Sequence, residues 1–415
     1  MSDQRTRNTH PWTVSVGIGL AALLAMLPAR AQLFTVTDLG TLPGDTFSWG
    51  RGISADGQAV GQSGPSFIHG HGFVWQNGEM SDLEPLQYDD HAEANAINDS
   101  GVIVGSSYYF VSGYPYSHAV RWVDGVPEAL PPINGSLCNA LSINASGYVV
   151  GWSHVIPGPP WNDSHACLWD PHGTPTDLGT LGGSFSTAQD INTAGQVVGG
   201  AYINAGVQHA FFWQSGMSMS DLGTLGGDNS FAMAINDAGL IVGYSEITPG
   251  SDQRHAFLYR PDSGMTDLDT LGGERSEAYD INAAGWIVGK ATDIEGNMQG
   301  CLWVEGKPRN LNNLTANAGN LRIVEARAIN DRYEIVATAA VDDTYHAVLL
   351  VPVAVAGDVD HDGDVDLQDL AALLAAYGIC AGDPGFNPDA DFNHDRCVDL
   401  SDLAILLANY GYPNS

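Results

Sequence analysis

Cationic side chains are scarce in this chain: 15 Lys+Arg stand against 48 Asp+Glu, for a formal net charge of -33. A polyphosphate backbone would be repelled by such a surface, which sets nucleic acid aside as a partner. Cysteine is sparser still, with five residues and no C-x-x-C or Cys/His cluster of the kind that holds zinc. Long apolar runs are also missing. The most apolar stretch, residues 14–27, falls short of the roughly 20 residues that a spanning helix needs. It follows Arg5 and Arg7 and precedes Ala29-Arg30-Ala31, the pattern of an export signal. Residues 1–31 are therefore expected to be a signal peptide cleaved after Ala31, leaving a secreted or cell-surface chain with no membrane span. Nucleophile and zinc-protease motifs of the G-x-S-x-G and H-E-x-x-H types are absent too.

What the chain has is turns and an apolar framework: Gly 50, Pro 21 and 44% hydrophobic residues over 415 positions, enough for two or three domains. Aligned on itself, it shows one unit, clearest in the segments beginning Asp221-Leu-Gly-Thr-Leu-Gly-Gly, Ala234-Ile-Asn-Asp-Ala-Gly and His255-Ala-Phe-Leu-Tyr. The Ile-Asn pair recurs at Ile97, Ile143, Ile191, Ile235, Ile281 and Ile329, with Ile53 in a degenerate first copy, which makes seven copies. In each, branched apolar runs flank an Asn-to-Gly turn and so read as a hairpin. The His-Ala-Phe run supplies a third strand and the Thr-Asp-Leu run a fourth. Four short strands per unit make a propeller blade. The last copy stops at its third strand, His346-Ala-Val-Leu-Leu, whereas the chain opens on an orphan fourth strand at residues 34–39. Joining them would close a seven-bladed β-propeller over residues 32–354 and bury its open edges.

These motifs resemble the bacterial HAF extracellular repeat family over roughly residues 33–352. The resemblance implies a repeat fold outside the cytoplasm and brings no established activity. Copies one, three and seven depart from the pattern, with Gly72 for Ala, Leu130-Pro-Pro for Leu-Gly-Thr and Asn310 for Asp.

The recurrent His71, His118, His165, His209, His255 and His346 read as structural donors, since Gln299 replaces them in copy six without disturbing the surrounding pattern. Asp38, Asp82, Asp177, Asp221 and Asp267 read as acceptors for backbone donors at the blade corner. Function on a propeller belongs where copies differ, above all in the loops between second and third strands. Copy two carries Tyr108, Tyr109, Tyr114 and Tyr116 there, and copy three carries Trp152 and Trp161. These aromatics could form a platform for a sugar or a protein, or pack on each other as loop minicores. No catalytic residue is selected; an enzyme acting on polysaccharide stands as the alternative to a non-catalytic interaction protein.

Beyond residue 355 the pattern changes to Asp358, Asp360, Asp362, Asp364, Asp366 and Asp369, with Gly363 for a sharp turn. Oxygens at alternating positions can converge on one hard cation, with Asp364 offering its carbonyl, so this reads as a Ca2+ loop. A second loop repeats it as Asp391, Asn393, Asp395, Cys397, Asp399 and Asp402, with Arg396 at the glycine position and therefore in a backbone conformation that glycine favours. Each loop feeds an amphipathic helix whose matched positions, Leu367, Leu370, Leu374, Tyr377 and Leu400, Leu403, Leu407, Tyr410, mark one face. Cys380 and Cys397 form the expected disulfide, which would pin the interhelix loop against the second calcium loop. Two loop-helix units in tandem, each closing on Asp, resemble type I dockerins over residues 355–415. That resemblance implies a cohesin or surface scaffold as partner. Leu367-Gln368 and Leu400-Ser401 stand where Ser/Thr recognition pairs often do, so it does not imply which partner.

Overall fold

The computed structural model describes residues 34–411 apart from 67–68, 112–113, 157–162, 205, 343, 354, 360–364 and 394. The expected signal peptide lies outside the described residues. Seven sheets follow one another along the chain, six antiparallel ones of four strands and one of five that is antiparallel but for a short parallel edge. They are the blades of a seven-bladed β-propeller: blade 1 spans residues 47–83, blade 2 91–130, blade 3 138–177, blade 4 186–221, blade 5 230–267, blade 6 272–310 and blade 7 322–352 with 34–40. Two short helices follow, α1 (Leu367–Ala376) and α2 (Leu400–Asn409). No described helix is long and apolar enough to cross a membrane.

Blade 5 shows how the repeat builds a sheet. Its strands Ser230–Ile235, Ile241–Glu246, Arg254–Arg260 and Gly264–Asp267 pair in sequence order. Between the first two, Asn236 Oδ1 accepts the N–H groups of Ala238 and Leu240, and Gly239 takes φ +77° to complete the turn. Asparagine suits this place because its side chain substitutes for a backbone acceptor, and glycine because positive φ costs it nothing.

Closure runs through the chain's first strand. Phe34–Gly40 pairs antiparallel with Thr344–Pro352, matching Phe34 to Pro352 and Val36 to Leu350. Its other edge is covered by Thr315–Ala316, which pairs in parallel with Phe34 and Thr35. Phe34 is 1% exposed and packs with Leu311, Ile323 and Leu350, so the closing strand is anchored by apolar burial as well as by its ladder. The apolar core is distributed between neighbouring blades: Val150, Ala166 and Leu178 of blade 3, for example, pack on Ala188, Ile191 and Phe211 of blade 4.

Every first strand carries a β-bulge three residues before the Asn, or before Ser54 in blade 1. The register shifts between Gly50 and Gly52, Ala94 and Ala96, Ala140 and Ser142, Ala188 and Asp190, Ala232 and Ala234, Ala278 and Asp280, and Ala326 and Ala328. An extra residue on one strand bends it and re-aims its side chain. The bulge also explains the glycine that ends each Val-Gly pair on the facing strand. A Cβ at Gly243 would sit 2.0 Å from the Phe231 carbonyl, and one at Gly61 would sit 1.8 Å from that of Trp49. Blade 7 has Ala337 there, and its first strand shifts register a second time between Ile323 and Glu325.

Candidate functional site

The polar residues repeated in every copy are engaged in holding the blades. Five of the six recurrent His donate through Nδ1 to the recurrent Asp of their blade's fourth strand: His71 to Asp82 (2.9 Å), His165 to Asp177 (2.9 Å), His209 to Asp221 (2.8 Å) and His255 to Asp267 (2.8 Å). In blade 7 the pair is His346 and Asp38 (2.9 Å), residues from opposite ends of the ring. Where copy three has Leu130-Pro-Pro and blade 2 therefore lacks its fourth-strand Asp, His118 turns to Asp89 at 3.0 Å. Gln299 in blade 6 bonds instead to Asp293 at 2.8 Å. The Asp residues also accept the N–H two residues on, as Asp221 does from Gly223 and Asp177 from Gly179. The sequence reading separated the His from the Asp; in space they are one unit. The Asp267 bond raises the pKa of His255 against the opposing pull of burial.

A second recurrent device was missed altogether. The Asn of each Ile-Asn pair donates Nδ2–H to the backbone carbonyl of the same residue in the next blade: Asn98 to Asn144, Asn144 to Asn192, Asn192 to Asn236, Asn236 to Asn282 and Asn282 to Asn330. Asn330 completes the circuit at the Ser54 carbonyl of blade 1. Ser54 is too short to continue it, and there the Ala55 N–H donates to Asp99 of blade 2 at 2.9 Å. These residues ring one end of a central channel.

Higher in the channel, the bulged residues Arg51, Leu141, Gln189, Met233, Tyr279 and Arg327 line its wall, and the two arginines stand on the adjacent blades 7 and 1. Among them two carboxylates lie deep in the wall. Asp190 joins Ser142 of blade 3 to the Ile235 N–H of blade 5, and Asp280 accepts the Ile329 N–H of blade 7. Burial raises both pKa values, that of Asp280 to about 7, although their backbone donors favour the ionised form. With both oxygens of each held by protein donors, the pair clamps blades and is not presented to a substrate.

At the opposite mouth the channel becomes charged and aromatic. Glu277, 8% exposed, is met by Arg254, by Lys290 at 3.3 Å and by the Tyr279 hydroxyl at 2.5 Å. Glu325 takes a two-pronged bond from Arg327 at 3.0 and 3.1 Å, and Arg327 lies 4.2 Å over the Tyr279 ring. Arg51 meets Glu93 at 3.1 Å. Burial opposes the charge on Glu277, but Lys290, Tyr279 and Arg254 outweigh it and hold the pKa below the ordinary value. Each of these acids is thus met by at least one cation. The thiols are equally unsuited to chemistry: Cys138, Cys167 and Cys301 are free, buried and pushed upward in pKa by burial. Cys138 replaces the serine that ties neighbouring blades elsewhere, accepting the Ala119 N–H as Ser230 accepts that of Ala210.

The aromatic loops divide. Tyr108 is 8% exposed, bonds to Gln62 at 2.9 Å and packs with His91 and Phe110, so it belongs to a minicore. Tyr109 stacks on Tyr116, Trp152 is half-buried beside His154, and Tyr114 is 69% exposed. Trp161 lies outside the described residues. The aromatic platform thus retains few accessible members, because the rings bury one another.

In the terminal unit, α1 and α2 begin alike. Asp366 and Asp399 cap them, and Asp369 and Asp402, fully buried, accept the cap residues' N–H groups in capping boxes. Asp369 also accepts the Val359 N–H at 2.7 Å, and Asp402 that of Asn393 at 3.2 Å, folding each loop back on its helix. Asp358 and Asp391 are buried as well, at 8% and 5% exposure. Asp391 accepts N–H groups from Asp395 and Arg396, and Asn393 donates to Asp395. Arg396 takes φ +78°, the glycine-like conformation that the sequence implies. Asp360, Asp362 and Asp364 lie outside the described residues. The Cys380–Cys397 disulfide is formed, which leaves Cys397 only its backbone oxygen for any ion. Among the described residues, the His, Cys, Asp or Glu ligand atoms gathered within 4.8 Å of one another in a group of three are those of His255, Asp267 and Asp269, a blade-corner pair with one added acid.

The matched helical positions carry a surprise. Leu367, Leu374 and Tyr377 are 69%, 53% and 43% exposed, and Leu400, Leu407 and Tyr410 are 68%, 54% and 42% exposed. These members of the stripe point outward, whereas Leu370 and Leu403 pack against the small core that Leu373, Ala376 and Leu406 form with Val365 and Val398.

Comparison with known proteins adds a family model described as a protein of unknown function (DUF3466), matching residues 220–372. No curated protein matches the chain. Similar solved structures include a putative TolB from Agrobacterium tumefaciens, 12% identical, covering 57% of this chain and 88% of that one at a TM-score of 0.41. A puromycin hydrolase is 11% identical, over 78% of this chain and 55% of its own, at 0.48. An oligogalacturonate lyase in complex with manganese is 12% identical, over 79% and 95%, at 0.45. None of these activities is transferred to this chain.

Proposed function

We propose that the protein is a secreted, non-catalytic propeller held on a cohesin-type or cell-surface partner by a calcium-dependent, dockerin-like terminal unit. The observation that carries the reading is the duplicated outward stripe: two helices offer the same Leu, Leu, Tyr face to solvent, each beginning at an acidic loop. Exposed apolar patches of this kind mark contact surfaces. The HAF-type character of the repeats and the signal-like N-terminus favour the extracellular setting.

Calcium fits the donor set of the loops. The acids are oxygen donors only, and Asp358, Asp369, Asp391 and Asp402 are buried. Buried carboxylates of like sign call for a cation, and Arg396 is the only Lys or Arg within either loop. Asp358, Asp360, Asp362, Asp369 and the Asp364 carbonyl would hold one ion; Asp391, Asn393, Asp395, Asp402 and the Cys397 carbonyl would hold the other. Asp366 and Asp399, engaged as helix caps, would serve from the second layer. The bound ion would supply positive charge that fixes the loops and with them the helix faces.

The test is a calorimetric calcium titration of the intact protein beside an Asp358→Ala/Asp391→Ala double variant, followed by capture on an immobilised cohesin with calcium or chelator. Two-site binding lost in the variant, with calcium-dependent capture, supports the reading. An unchanged titration, or capture indifferent to chelator, removes it. The polysaccharide-active enzyme remains the competing class, and turnover in a broad glycan screen would establish it.

A further inference from the structure

The chain has few cations, yet five of them, Arg51, Arg254, Lys290, Arg322 and Arg327, gather on blades 5, 6, 7 and 1 around the charged channel mouth. Facing them are Glu93, Glu277 and Glu325, each already bound by a cation. In a molecule with a net charge of -33 this is a locally positive spot, and focused positive charge in a concave surface favours an anion.

A cavity of 320 Å³ opens beside it, where blades 6, 7 and 1 meet. Its walls combine two aromatic rings, Trp49 and Tyr345, with Lys290, Arg322, Asn297 and Thr338, and its one acid, Glu325, is already held by Arg327 and Lys290. Arg322 gives one N–H to the Met298 carbonyl at 3.0 Å and makes no ion pair among the described residues. Thr338, 1% exposed, lines the cavity with an Oγ1 that has no hydrogen-bond partner. An orphaned buried hydroxyl is costly unless something answers it. Aromatic faces accept the C–H surface of a sugar ring, an unpaired guanidinium accepts a carboxylate, and small polar side chains accept hydroxyls.

We propose that this cavity binds an acidic sugar ring, its face against Trp49 and Tyr345, its carboxylate toward Arg322 and Lys290, and a hydroxyl bonded to Thr338. The site stands apart from the blade 2 and 3 aromatic loops and does not depend on the terminal attachment.

The experiment is isothermal titration of the full chain with a galacturonic acid oligomer and with a neutral galactose oligomer of the same length. Binding of the acidic oligomer at least tenfold tighter than the neutral one, weakening as salt is raised, is the expected result. Arg322→Ala, at an exposed position, should weaken it at least tenfold with an unchanged melting temperature, and Thr338→Val should weaken it several-fold. Tyr114→Ala should leave it unchanged. Equal affinity for both oligomers, no binding of either by folded protein, or full affinity in Arg322→Ala would each overturn the proposal. Sensitivity to Tyr114→Ala alone would move the sugar to the aromatic loops and overturn it equally.

Discussion

The propeller and the terminal unit handle their acids in opposite ways. In the blades each recurrent Asp is answered within the fold, by a His ring on one side and a backbone N–H on the other, as in the pairing of His209, Asp221 and Gly223. In the terminal loops Asp358, Asp369, Asp391 and Asp402 are buried among backbone donors with a lone Arg396 for positive charge. The blades thus answer their repeated acids with histidine and backbone donors, and the terminal unit answers its buried acids largely with backbone donors. The same contrast runs through the apolar residues. Blades bury theirs against neighbours, while the two helices keep Leu367, Leu374, Leu400 and Leu407 in solvent.

The strongest way to break this contrast is at the ring. Removing residues 34–39 strips blade 7 of the strand that pairs along Thr344–Pro352 and exposes the pocket of Phe34. A loss of about 5 kcal/mol or more is expected from the apolar burial and ladder bonds together, read as collapse of the propeller transition in denaturant. A propeller that melts unchanged would mean an open array.

Calcium removal should act on the other region alone. With chelator, the terminal unit should lose helical signal and protease resistance while the propeller transition stays in place; ion at a hundredfold excess over its dissociation constant is worth about 2.7 kcal/mol per site to a unit that binds it only when folded. A shift of the propeller transition instead would erase the distinction drawn between the regions.

Smaller effects sharpen it. Asn236→Ala removes a donor to Asn282 and an acceptor for two turn N–H groups, and should cost about 1 to 3 kcal/mol by chemical denaturation. Ser54→Asn would supply the missing member of that ring and should be neutral or stabilising. The pH dependence follows from Asp280, whose pKa rises on folding to about 7, mainly through burial. Folded protein then holds a proton that the unfolded chain has lost above about pH 4, so its contribution favours the fold in acid and is lost as pH climbs toward 7. Asp280→Asn should flatten that slope in melting curves across pH 4 to 8, and an unchanged slope would assign it elsewhere. Least of all, Arg396→Gly should relieve positive-φ strain of about 1 kcal/mol and tighten the second calcium site, by the same titration.

Much of the architecture was legible in residues close together in sequence. Ile-Asn-x-x-Gly marks a hairpin because Asn236 and Gly239 act on their own turn, and the orphan strand before blade 1 signals closure by leaving blade 7 one strand short. The candidate sites were legible in part. The Cys380–Cys397 pair was readable from spacing, but the cavity beside the channel mouth was not, since Trp49, Lys290 and Thr338 come from three blades. A usable signal did exist: the residue three places before each Asn, or before Ser54 in the first copy, varies while the small residue ahead of it persists, as Arg51, Asn95, Leu141, Gln189, Met233, Tyr279 and Arg327 show.

The sequence by itself determined the seven-fold repeat, the turn of each hairpin and the direction of closure, because periodicity and turn chemistry act over a few residues. Only the tertiary structure decided which side chains face the channel, that each His belongs to an Asp, and that the helical stripes look outward. Those outcomes depend on bulges, ring closure and the placement of neighbours, which bring together groups that the chain keeps far apart.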